Sequence, residues 1–281
     1  MLPPATCGGT PLTREDLIQA LDAASERDPD VIALLLGGSL GAGGGDRWSD
    51  VDAILVTAPD RHAAVVNDLQ AWVSAIAPPV LWRQTFPPHP LFMAVLPGWL
   101  RLDITVTVPG HVTGARDRVR ALYDPQGLVE ALPGAYPRRR PDPRKIAGLV
   151  EEFLRVVGLL PVAVGRDEPV LAVTGVTLLR GLLQDLLVEA QAPPAPMGAL
   201  SLSRLLPAED VALLAALPLP RAEWSEILEA NRRYAAEFLP RARALAAESG
   251  ASWPTALEAE AAKRLARDAG LDWSEVFRGG A

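Results

Sequence analysis

The stretch GGSLGAGGGDRWSDVDAILV, Gly37–Val56, sets two aspartates one residue apart, Asp50 and Asp52, behind a glycine-rich segment. On a strand, residues i and i+2 project from the same face, so these two carboxylates converge on one point. Converging carboxylates repel unless a cation separates them. Mg²⁺ suits such a place because it takes one or two carboxylates, adds phosphate oxygens and keeps the rest of its shell as water. A third acid, Asp103, falls on a polar-facing position of the alternating run WLRLDITVTV and reaches the same point if its strand neighbours that of Asp52. Arg101, two residues before it on the same face, is a candidate phosphate contact. Three acids around metal ions describe a site that holds a nucleotide's phosphates and neutralises charge developing during transfer.

Upstream of the acids, Gly37, Gly38 and Ser39 close the apolar run VIALLL. Residues that tolerate unusual backbone angles and leave no side chain in the way let several N–H groups point into one concavity, as a phosphate requires. The stretch contains no lysine, which excludes a Walker loop. It also leads into a strand where a dinucleotide fingerprint needs a helix. Gly41 to Gly45 is more glycine than a cradle needs, and a loop that orders only around nucleotide is expected there.

The elements that must position these residues follow from periodicity. Thr13 is a plausible N-cap for a helix over Arg14–Arg27, and apolar residues at helical spacing predict a second helix within Asp60–Ile76, stopped by Pro78-Pro79. VIALLL and SDVDAILVT read as strands flanking the glycine loop, and VLWRQTF, LFMAVLPG and WLRLDITVTV as three more. The Pro- and Arg-rich stretch PGAYPRRRPDPRK is the best linker, giving expected domains 1–137 and 138–281. Beyond it the sequence predicts a helical bundle.

Composition narrows the function classes. The net charge is −7 and neither half of the chain is basic, which argues against duplex nucleic acid as partner. An acidic balance suits a cationic small molecule and plain solubility equally. No uninterrupted apolar run of bilayer length appears and the first residues lack a signal-peptide pattern, so a cytoplasmic protein with no membrane partner is expected. Cys7 is a lone thiol, and His62, His89 and His111 match no metal spacing. Glu151, Glu152 and Glu168 lie where a helical domain would face a catalytic cleft. They are candidates to bind a substrate's ammonium groups, although solvated helix charges explain them as well. Trp48, Trp82 and Trp99 are expected mainly in the core, with a stacking role open for one.

Taken in order, a strand, Gly-Gly-Ser, Ser-Asp-x-Asp leading into an apolar strand, and a later Asp on an alternating strand resemble the nucleotidyltransferase superfamily of the DNA polymerase β type. Smaller matches in Arg120–Leu132 and Glu151–Glu168 resemble its antibiotic nucleotidyltransferases, which attach AMP to aminoglycosides or lincosamides. The resemblance implies an α+β fold, with an N-terminal mixed sheet and flanking helices followed by a C-terminal helical-bundle domain for the acceptor. It implies that Gly38 and Ser39 contact the nucleotide phosphates and that Asp50 and Asp52 bind Mg²⁺, two ions being the expected complement. Asp103 would be a further metal ligand or the base that activates the acceptor hydroxyl. ATP or another NTP would be the co-substrate, and pyrophosphate the product. Other assignments stay open on sequence alone: a toxin-like transferase acting on tRNA or protein, a nucleotide-binding regulator without turnover, or an interaction protein with no nucleotide site.

Overall fold

The computed structural model describes residues 12–85, 90–137, 139–193 and 202–278. Cys7 and His89 lie outside them. The chain divides into two compact units, Met1–Tyr136 and Pro137–Ala281.

In the first unit, α1 (Arg14–Arg27), β1 (Val31–Leu36), α2 (Gly38–Gly41), β2 (Val51–Thr57), α3 (His62–Ser74), β3 (Leu81–Thr85), β4 (Leu91–Leu96), β5 (Leu100–Thr107) and β6 (Arg120–Tyr123) follow in chain order. Thr13 does cap α1: its hydroxyl accepts from the Asp16 N–H while the Asp16 carboxylate accepts from the Thr13 N–H, so two orphan donors are satisfied reciprocally. The six strands form one sheet in the order β3-β4-β5-β2-β1-β6. Among the described strands only β2 and β5 run parallel; the other neighbours are antiparallel, making the sheet mixed.

Alternation sets the two faces. Val51, Ala53 and Leu55 of β2 and Leu102, Ile104 and Val106 of β5 share a buried core with Leu17 and Leu21 of α1 and Leu69 and Val73 of α3. Asp52 and Asp103, one residue out of phase, therefore point to the opposite face. A smaller core of Ala33, Leu35, Val56, Val119 and Leu132 covers part of that face around β1.

Two elements depart from expectation. The glycine segment begins with the short helix α2 instead of a plain loop, and the short strand β6 pairs with β1 at the sheet edge. Within Arg120–Tyr123 every side chain is at least partly exposed, so the strand carries no alternation to betray it.

The second unit is helical: α4 (Pro143–Gly165), α5 (Pro169–Gln191), α6 (Leu202–Leu205), α7 (Ala208–Ala216), α8 (Trp224–Ser249), α9 (Thr255–Ala269) and α10 (Ser274–Arg278). α4 starts at the Asp142 cap with Pro143 in the first turn, where its missing N–H costs nothing. Phe153 of α4 stacks on Phe238 of α8 at 3.8 Å between ring centres. By length and composition α5 is apolar enough to cross a membrane. Its Val176, Leu179 and Leu183 are buried with α4 and α8 residues in the bundle core. At its last turn the buried Glu189 receives Arg139, Lys145 at 2.9 Å and the Asp142 N–H at 2.8 Å, tying part of the basic Pro133–Lys145 stretch to the bundle.

Candidate active site

The parallel pairing of β2 with β5 places Asp52 directly opposite Asp103. Asp50 lies one residue before β2, on the same face as Asp52. One carboxylate oxygen from each of Asp50, Asp52 and Asp103 lies within 4.8 Å of the others, and all three side chains are half-buried. Gly38 and Ser39 are in the first turn of α2, which follows directly from β1 on the other side of β2. The Gly37 N–H donates to the Asp52 carbonyl at 2.8 Å, clasping the end of β1 to the acid-bearing strand. The first N–H groups of α2, at Gly38, Ser39 and Leu40, precede its first intrahelical bond, and Gly37 offers them no side-chain cap.

Gly38 is required twice over. Its φ is +55°, and a Cβ there would stand 1.8 Å from Asp52 Oδ2. Gly41 is required by contact alone, since a Cβ would meet the Leu36 carbonyl oxygen at 2.4 Å and the Arg118 carbonyl oxygen at 2.5 Å. Part of the surplus glycine thus serves close packing of α2 against its neighbours.

The lead-in to Asp50 is organised by Asp46, which sequence reasoning missed. Asp46 Oδ1 accepts from the Trp48 N–H at 2.9 Å and from the Ser49 hydroxyl at 3.1 Å, while the Asp46 N–H donates to Ser49 Oγ at 3.0 Å. This is an Asx turn, and its signal was the Asp46-x-x-Ser49 spacing.

Electrostatically the acids are short of positive charge. Burial is the largest influence on Asp52, reinforced by Asp50 and Asp103 and opposed by Arg101, and it is pushed up to about 6 from 3.8. Asp103 is raised by burial and Asp50, again against Arg101. Low solvation and like charges both disfavour the ionised form. Arg101 reaches across to Asp50, Nη2 to Oδ2 at 3.0 Å, instead of standing clear as a phosphate contact. The donor set is all carboxylate oxygen, with neither His nor Cys, which fits a hard cation such as Mg²⁺.

The expected core role of the tryptophans holds for one of the three. Trp82 is half-buried against Phe92, 5.5 Å between rings. Trp48 and Trp99 are 71% and 79% exposed. Trp48 precedes Asp50 by two residues and Trp99 precedes Asp103 by four, each just ahead of its strand, and Trp99 takes a left-handed φ of 63° after Gly98 in the tight β4–β5 turn.

Glu151 and Glu152 line a groove of about 850 Å³ on the helical unit, together with Arg155, Trp253 and Leu257. Glu152 is engaged by Arg155 through two 2.6 Å hydrogen bonds. Glu151 has no ion-pair partner among the described residues. Glu168 is not part of the groove: it occupies the N-cap position of α5, its N–H donating to the Ala163 carbonyl at 2.9 Å.

A six-stranded mixed sheet with flanking helices, carrying an acidic triad and followed by a helical unit, is the α+β arrangement that the sequence led us to expect. Among solved structures, the chain is similar to an aminoglycoside 6-adenyltransferase from Bacillus subtilis, at 11% identity and a TM-score of 0.39, over 88% of this chain and 95% of that one. It is also similar to terminal uridylyl transferase 4 from Trypanosoma brucei, with GTP bound (17% identity, TM-score 0.27) and with CTP bound (18% identity, TM-score 0.25). In both cases the match covers 81% of this chain and 63% of the other, less than two thirds of that protein's length. No protein-family model matches the sequence, and no curated protein matches it.

Proposed function

We propose that this chain is a Mg²⁺-dependent nucleotidyltransferase that moves a nucleoside monophosphate, AMP from ATP, to a hydroxyl of a small molecule and releases pyrophosphate. The observation that carries the proposal is the convergence of one carboxylate oxygen each from Asp50, Asp52 and Asp103 within 4.8 Å.

In this reading Gly38 and Ser39 hold the triphosphate on the β1 side of Asp52. Asp103 stands on the β5 side, because β2 lies between β5 and β1 in the sheet. An acceptor hydroxyl attacking in line, opposite the departing pyrophosphate, comes from that β5 side. Its oxygen bonds to the α-phosphorus as the bond to the β-phosphate oxygen breaks. Asp50 and Asp52 would hold Mg²⁺, which when bound offsets negative charge on the phosphates as pyrophosphate leaves. Burial and Asp50 raise the proton affinity of Asp103, which suits it to receive the hydroxyl proton where it does not join the metal set.

The acceptor class we favour is a cationic antibiotic, an aminoglycoside or a lincosamide. The acidic total charge and the unpaired Glu151 in the groove of the helical unit support it. An ATP-dependent reaction of this kind belongs to the cytoplasm. The test is a pyrophosphate-release screen with Mg²⁺, each NTP in turn, and panels of aminoglycosides, lincosamides and tRNA. Acceptor-dependent release with one antibiotic class is expected; release with tRNA alone moves the substrate to RNA, and no release under any combination overturns the enzyme assignment.

A further inference from the structure

We propose that Arg101 is a tethered counter-cation which a divalent metal displaces from Asp50, so that metal entry frees its guanidinium to meet the nucleotide's phosphates. The inference rests on the reading of Asp50, Asp52 and Asp103 as the metal set.

Arg101 and Asp103 share one face of β5, and Asp50 leads into the neighbouring strand on that face. From there Arg101 Nη2 stands 3.0 Å from Asp50 Oδ2, so the guanidinium occupies one of the two oxygens that Asp50 can offer a metal ion. Guanidinium and metal cannot share that carboxylate closely without direct repulsion between cations. The pair remains in reach of water, with side chains 36% and 26% exposed, so the guanidinium is not locked in a closed core. Among the described residues Asp50 is the ion-pair partner of Arg101, whose charge also favours the ionised forms of Asp52 and Asp103. Once released, a long side chain rooted two residues from Asp103 remains beside the acids, and its planar fork matches phosphate oxygens. Arg101 is in this account a positioning residue with two stations, one for the metal-free site and one for the loaded site.

The account requires effects of opposite sign from a single substitution. Mn²⁺ binding to the full chain is measured by electron paramagnetic resonance in the wild type, Arg101→Met and Arg101→Lys. Binding of the Mn²⁺ complex of inorganic tripolyphosphate, a probe with no base to recognise, is then measured by calorimetry. Arg101→Met should bind Mn²⁺ about fivefold tighter, the size expected for losing a screened competing pair. The same variant should bind the tripolyphosphate complex roughly tenfold more weakly, having lost a charge-assisted phosphate contact. Arg101→Lys should fall between the two proteins in both measurements. A residue that only supports the fold would weaken both bindings and lower the unfolding midpoint. Equal or weaker Mn²⁺ binding by Arg101→Met, or unchanged tripolyphosphate binding, overturns the proposal while leaving the metal site standing. Absence of Mn²⁺ binding by wild type and variants alike overturns the metal reading itself, and the proposal with it.

Discussion

Gly38 and Gly43 make a matched pair for separating backbone strain from damage to the site. Both have positive φ, +55° and +71°, but a Cβ at Gly38 would fall 1.8 Å from Asp52 Oδ2, whereas at Gly43 nothing lies within 4 Å. An alanine in the left-handed region costs about 1–2 kcal/mol, partly offset by about 0.4–1 kcal/mol from a less flexible unfolded chain. Gly43→Ala should therefore lose about 1 kcal/mol and nothing else. Gly38→Ala bears the same strain, and in addition the Asp52 carboxylate has to swing aside, at about 0.5–1.5 kcal/mol for leaving its rotamer. The two variants should thus differ in stability by only about 1 kcal/mol. They should differ far more in function, because the group that moves is a member of the acidic triad. Loss of its position should weaken Mn²⁺ binding by about 10- to 100-fold, the range seen when a metal ligand loses its orienting support. Denaturant unfolding measures the first quantity, and Mn²⁺ titration with pyrophosphate release measures the second. Equal Mn²⁺ affinity and turnover in the two variants would refute the claim that Gly38 exists to let Asp52 lie against the backbone.

Asp50→Asn and Asp52→Asn should each abolish pyrophosphate release while leaving the far-UV circular dichroism unchanged; full activity in either would sink the mechanism. Asp52→Asn should also stabilise the metal-free protein at neutral pH. Its carboxyl is raised from 3.8 to about 6, so the folded state holds its proton more tightly than the unfolded one. The resulting destabilisation is absent below the unfolded value, grows as pH rises and is complete above about 6. That difference corresponds to about 3 kcal/mol at most, and partial solvent access trims it to about 1–2 kcal/mol. Thermal unfolding at pH 7.5 should show the gain and unfolding near pH 3.5 should not; equal midpoints at both would contradict the electrostatic account. Glu189 has the opposite sign: burial raises it, but hydrogen bonds from Arg139, Asp142 and Lys145 outweigh burial and lower it overall. Its contribution is present above the usual 4.5 and is lost as pH falls through the lowered value. Glu189→Gln should destabilise the helical unit by about 1–3 kcal/mol at pH 7, with a deficit that shrinks in acid, as unfolding followed at both pH values would show.

The sequence by itself determined most of the elements and their faces, though not α2 or β6. Thr13 with Asp16 announced the start of α1, and the alternation of Leu100–Thr107 assigned Asp103 to the side away from the core before any partner strand was known. These are local facts, written in periods of 3.6 and 2 along a continuous stretch of chain. The nearness of Asp50 to Asp52 was legible for the same reason, since Asp52 lies on β2 and Asp50 one residue before that strand. What only the tertiary structure decided was which strand Asp103 sits beside. Pairing of β2 with β5 spans three intervening elements, and its register, Asp52 opposite Asp103, depends on hydrogen bonds and core packing that no local period encodes. The ion pair of Arg101 with Asp50 follows from that register, as does the burial that raises Asp52. Exposure of Trp48 and Trp99 was decided the same way, because an apolar side chain is covered only where the fold brings another element over it.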